Sequence, residues 1–113
     1  MKLIGSLTEQ SFRQQLRRSW EEFREPGNSI FSNLENRLGR IDSAFALGWT
    51  PDQSEDFYTI LVNGTDVVYL EVLRPTGELV DFQVTSVKEY EKSLRYRLQK
   101  IMLLVALDLS GNH

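Results

Sequence analysis

The chain has 113 residues, 41% hydrophobic and 26% charged, with no cysteine and a formal net charge of −3. That length holds one core and one domain, 1–113, and the ordinary hydrophobic content excludes a disordered or low-complexity chain. Disulfides, thiolate nucleophiles and cysteine-held metals are excluded, and with no export signal read in MKLIGSLTEQSF the expected home is cytoplasmic.

A first helix opens at Ser6, with Glu9 at capping-box spacing, so each side chain can satisfy a backbone N–H left free at the helix start. Phe12, Leu16, Trp20 and Phe23 form one face of a 3.6-residue repeat, and Pro26 and Gly27 end it. Arg13, Arg17 and Arg18 suggest a phosphate-contact strip. Arg17 and Arg18, however, have Glu21 and Glu22 four residues on, and pairing along a solvated helix surface is the better reading. No nucleic-acid partner is expected. A second helix is capped by Asn28, buries Ile30, Phe31, Leu34 and Leu38, and stops at Gly39.

The stretch IDSAFALGWT alternates as a strand does. Ile41, Phe45, Leu47 and Trp49 fall on one side, Asp42, Ala44, Ala46 and Gly48 on the other, with Gly48 placed for a bulge. The polar residues 50–56, TPDQSED, read as a loop. Three further strands follow in DFYTILVNGTDVVYLEVLRPTGELVDF, and their register is set by two turns. In RPTGE, a loop of Pro75, Thr76 and Gly77 puts Arg74 opposite Glu78 and pairs Val72 with Val80, Leu70 with Phe82 and Val68 with Val84, all apolar. At Asn63-Gly64 a two-residue loop would mix even with odd positions. A three-residue loop of Val62, Asn63 and Gly64 keeps Tyr58 and Ile60 on the same even face as Val68, Leu70, Val72, Val80, Phe82 and Val84.

A long C-terminal helix starts at Ser86 with Glu89, a second capping box. Its stripe is Val87, Tyr90, Leu94, Leu98, Ile101 and Val105, with Glu91 and Arg95 as an i,i+4 pair. The apolar run IMLLVAL from Ile101 to Leu107 is far short of the ~20 residues that span a bilayer, so no membrane is expected. Either that run is enclosed on all sides or a homodimer forms through it. The fold class is therefore α+β: two N-terminal helices, an antiparallel meander of about four strands and a long C-terminal helix, with the helices on one face of the sheet.

The odd positions then point away from the helices. Counting across strands gives a row of Glu55, Glu71 and Asp81, next to a row of Phe57, Tyr69 and Gln83, followed by Thr59, Val67 and Thr85. Carboxylates facing each other destabilise a sheet, so an acidic row beside an aromatic one is not selected by stability alone. The plain alternative is that these carboxylates only keep the face wet and soluble. As a recognition surface, Glu55, Phe57, Tyr69, Glu71, Asp81 and Gln83 would steer and anchor a basic protein.

Catalytic chemistry has little to stand on. The sole histidine is His113, DQSED lacks the spacing of a calcium loop, and no glycine-rich phosphate loop occurs, so neither enzyme activity, metal nor cofactor is expected. Residues 26–85 carry a net charge of −6, against +1 for 1–25 and +2 for 86–113. A small acidic domain of this kind suits an immunity or antitoxin-type inhibitor of a basic, nuclease-like toxin, since carboxylates can mimic a phosphate backbone. The alternative is a self-associating structural or adaptor subunit using the apolar end of the C-terminal helix.

Overall fold

A computed structural model describes residues 2–111. Helices α1 (Leu7–Phe23) and α2 (Ser29–Leu38) precede strands β1 (Ala44–Asp52), β2 (Glu55–Val62), β3 (Asp66–Leu73) and β4 (Leu79–Ser86), and helices α3 (Val87–Ser93) and α4 (Arg97–Leu109) close the chain. The strands form one antiparallel meander in sequence order, and the α+β class and element order are those expected.

Local chemistry sets the helix ends. The Ser6 hydroxyl accepts from the Glu9 N–H at 3.2 Å, while the buried Glu9 carboxylate accepts from the N–H groups of Ile4 and Gly5. Those backbone donors, Ile4 foremost, hold the Glu9 pKa below its ordinary value. Asn28 caps α2 by accepting from the Ile30 N–H at 2.8 Å, and its amide donates to the Glu22 carbonyl, tying the two helices end to end. The expected pairs Arg17–Glu21 and Arg18–Glu22 are not among the ion pairs of the described residues. Arg13 instead reaches Asp108 at 2.7 Å and joins α1 to α4.

The turns differ from the expected ones at several points. Residues 50–56 are not a loop: β1 and β2 pair to their ends, Asp52 opposite Glu55, leaving only Gln53, at φ 50°, and Ser54 between them. A bulge between Ala46 and Gly48 reverses the faces of β1. Phe45 lies opposite Leu61 while Trp49 lies opposite Tyr58, so the two point to opposite sides of the sheet. Ser19 steadies this irregular edge, its hydroxyl accepting from the Ala46 N–H at 3.0 Å and donating to the Leu16 carbonyl. At Asn63-Gly64 both central residues have positive φ and the Thr65 N–H donates to the Val62 carbonyl, a tight Asn-Gly turn. Thr65 is then left over, so pairing resumes as Val62 with Asp66 and Ile60 with Val68. The loop is 63–65, one residue later than expected. Even still faces even.

The β3–β4 turn is one residue longer than expected. Arg74 does not face Glu78; the Leu73 N–H donates to the Glu78 carbonyl and the Gly77 N–H to the Leu73 carbonyl. Gly77, at φ 71°, lies where a Cβ would come within 2.7 Å of the Ser29 hydroxyl, which closes this tip against α2. Val68 pairs with Val84 and Leu70 with Phe82 as expected, but Val72 pairs with Leu79, so Val80 is bulged and 48% exposed. Val84 keeps its face but lies on the edge strand β4, and is 47% exposed.

The apolar side chains divide into two clusters on opposite faces of the sheet. On the even face Ala44, Ile60, Val62, Val68, Leu70 and Val72 pack with Phe23 of α1 and Ile30 and Leu34 of α2. On the odd face Phe45, Leu61 and Val67 pack with Leu16 of α1 and Val105 and Ala106 of α4. Trp20 touches both, because α1 runs past the edge strand β1 and feeds one cluster from each half of its stripe. The odd face is therefore open only in part. Each fully buried Leu, Ile or Val is worth about 1.5–3 kcal/mol, so both clusters are needed to hold a chain of this size.

The C-terminal stripe is also divided. Leu94 and Tyr96 take extended backbone (ψ 131° and 143°), ending α3 and starting α4 at a new angle. The Tyr96 N–H donates to the Gln99 side chain, an N-terminal bond for α4. The expected Glu91–Arg95 pair straddles the break and does not form among the described residues. Leu98, placed by the continuous helix on the buried stripe, is 59% exposed.

Candidate partner-binding surface

The six residues singled out on the odd positions lie at the end of the sheet where α4 does not reach. Glu71 of β3 is directly opposite Asp81 of β4, and Phe57 of β2 completes that row. Tyr69 lies between Thr59 and Gln83 in the next row, and Glu55, opposite Leu73, stands one row out. The later turn at Asn63 thus shifts β2 by two residues against β3. It preserves the face and changes the neighbours: Phe57 joins the carboxylate row, and Glu55 reaches Glu71 diagonally.

The three carboxylates interact. The Glu71 pKa is pushed above its ordinary value, first by a hydrogen bond shared with the Glu55 carboxyl, then by partial burial, then by the charges of Glu55 and Asp81. Asp81 is better provided for, accepting from the Phe82 N–H and the Gln83 amide, each at 3.0 Å. Phe57 and Tyr69 are both 37% exposed, and Tyr69 leans against Tyr90 of α3 with ring centroids 6.4 Å apart. The carboxylates are strung along the surface, and the described residues hold no group of three His, Cys, Asp or Glu side chains that could grip a metal ion.

Behind this patch, on the even face, is a cluster that the sequence reading missed. Asp56 is buried, and Arg74 grips it with Nη2 at 2.9 Å and Nε at 3.2 Å from Oδ1, while the Trp49 indole N–H donates to the same oxygen at 3.1 Å. Arg74 also donates to the carbonyls of Gln53 and Glu55, holding the β1–β2 tip. These bonds, Arg74 foremost, keep the Asp56 pKa below its ordinary value although burial opposes them. The available signal was parity: Asp56 shares the core-facing side with Tyr58 and Ile60, and a carboxylate there requires a cation.

Two concavities complete the surface. Leu94, Leu103, Leu104 and Leu107 floor a groove of about 610 Å³ between α3 and α4, bordered by Lys88, Lys92, Lys100 and Glu91. A smaller one of about 220 Å³ lies between α1 and the β1–β2 hairpin, lined by Ser19, Glu22, Phe23, Ala46, Trp49 and Tyr58. No helix among the described residues is long and apolar enough to cross a membrane. No protein family, curated protein or solved structure matches the chain.

Proposed function

We propose that this protein is a binding module rather than an enzyme, and that its odd-face patch captures a basic protein. The observation that carries this reading is the crowding of Glu55, Glu71 and Asp81, which raises the proton affinity of Glu71. Negative charge held against its own repulsion is relieved when a partner's lysine or arginine arrives. Phe57 and Tyr69, half open beside it, supply the apolar area that charge alone lacks. The specific form we favour is a cytoplasmic immunity or antitoxin-type inhibitor. A nuclease-like toxin is basic where it grips phosphates, and an acidic row can occupy that site.

The test is capture of partners from the source cell by the immobilised chain, with the double variant Glu71→Lys, Asp81→Lys run in parallel. A basic protein held by the wild type, released by salt and lost from the variant supports the proposal, and inhibition of that protein's activity at a one-to-one ratio would establish the inhibitor form. Equal recovery by wild type and variant removes the patch from consideration.

A second reading, a self-associating adaptor subunit, is favoured by the open groove in which Leu104 and Leu107 of α4 are only partly covered. Sedimentation would show a dimer that Leu104→Glu dissociates without loss of helical content. A monomer at all concentrations dismisses it.

A further inference from the structure

The smaller cavity has a chemistry of its own. Three of its six walls are aromatic: Trp49 and Tyr58 stack at 6.5 Å with their planes 21° apart, and Phe23 meets Tyr58 edge-on at 5.8 Å and 78°. Trp49 is 58% exposed, yet its indole is fixed, because its N–H is bound to Asp56 and Asp56 is bound to Arg74. A large exposed aromatic normally swings or folds down onto the core; this one is held open.

Of the residues that line the cavity, the one that carries a charge is a carboxylate. Glu22 on α1 lines it and makes no ion pair among those of the described residues; the Tyr58 pKa is raised, first by burial and then by the charges of Asp56 and Glu22, with Arg74 opposing. The nearby cation, Arg74, is spent on Asp56 and on two backbone carbonyls. The Ser19 hydroxyl is likewise engaged at both ends. What remains is aromatic surface and a carboxylate without an ion pair among the described residues. The Glu22 carboxylate disfavours an anion there, and a neutral apolar group would draw nothing from its charge.

We propose that this cavity is a binding site for an organic cation, an alkylammonium or guanidinium group. Aromatic rings attract such cations through the negative charge of their faces, tryptophan most strongly, and a neighbouring carboxylate adds direct pairing. At about 220 Å³ the space is below the range of whole drug-sized ligands and suits a head group or a single side-chain terminus. The cation can come from a free methylated amine or from a lysine or arginine of a protein. The site lies on the other face from the acidic patch and does not depend on it.

The test is titration of the ¹⁵N-labelled protein, following the Trp49 indole N–H by NMR, with tetramethylammonium, with N-acetyl-arginine amide and with the neutral tert-butanol. The indole signal is assigned by its loss in Trp49→Phe. A saturable shift is expected with at least one cation below roughly 50 mM, weakened about tenfold by Glu22→Gln, with tert-butanol giving none. Response to tetramethylammonium alone marks a free amine as the source, and response to the arginine derivative alone marks a protein side chain. No saturable shift with either cation, or an equal one with tert-butanol, overturns the proposal. Because Glu22 is exposed and makes no ion pair among the described residues, its replacement should leave the rest of the spectrum in place and separate loss of binding from loss of fold. An unchanged affinity in Glu22→Gln would overturn the assignment as well.

Discussion

Asp56 and Glu71 lie almost back to back at one end of the same sheet, in opposite electrostatic surroundings. Asp56, opposite Val72, faces the covered side, where a guanidinium and an indole N–H converge on one of its oxygens. Glu71, one register step away opposite Phe57, faces the open side, where its nearest charges are two more carboxylates. The covered acid is drawn toward ionisation and the open one toward protonation. Burial alone would have predicted the reverse order, since desolvation disfavours the charged form and Asp56 is the more buried. Partners outweigh burial here. The fold surrounds Asp56 with donors and leaves Glu71 among other carboxylates.

The largest effects should appear where the two faces do not differ. At the turn end of β2, Ile60 and Leu61 are adjacent, fully buried and on opposite sides. Ile60→Ala and Leu61→Ala should each lose about 2–5 kcal/mol in urea unfolding. A near-neutral Leu61→Ala would mean that α4 does not close the odd face. Next in size is Asp56→Ala, which strands the donors of Trp49 and Arg74 and should cost about 2 kcal/mol. Loss of the Trp49 indole proton from its hydrogen-bonded position would accompany it.

Titration should set the two acids apart by sign. Because the Asp56 pKa is lowered by folding, its contribution is present at neutral pH and disappears as pH falls through the folded-state value. Because the Glu71 pKa is raised, the folded state binds that proton more tightly, and stability falls as pH rises through the window just above an ordinary glutamate. Asp56→Asn should flatten the acid limb of the stability profile, and Glu71→Gln should flatten the window above it. The smallest expected effect is at neutral pH, where Glu71→Gln should raise the urea midpoint slightly while reducing capture of a basic partner. A fall in the midpoint would show that Glu71 has a stabilising contact the patch reading leaves out.

Much of the architecture was legible because it rests on short-range rules. Ser6 with Glu9, Asn28 and Gly39 marked helix ends that local hydrogen bonds determine, and the even-facing alternation through β2, β3 and β4 survived a two-residue error in register because strand faces repeat every two residues. At Asn63-Gly64, the turn preference and the face pattern conflicted as rival loop lengths. Both are satisfied in the structure, since Thr65 is inserted after a tight Asn-Gly turn. The six candidate residues share one face because parity was right; their arrangement by rows differed from the expected one, because rows depend on loop length to the residue.

Short-range chemistry was thus enough to establish the class, the order of elements and which strand positions share a side. Only the tertiary structure decided what covers each side. Apolar burial is proportional to area and indifferent to direction, so a helix stripe such as Phe12, Leu16, Trp20 and Phe23 says that a face is buried without saying which surface meets it. For the same reason the break at Leu94–Tyr96, the flip of Trp49 past the β1 bulge and the pairing of Asp56 with Arg74 were out of reach. Each depends on residues brought together by folding: the last pair are 18 positions apart in the chain and 2.9 Å apart in space.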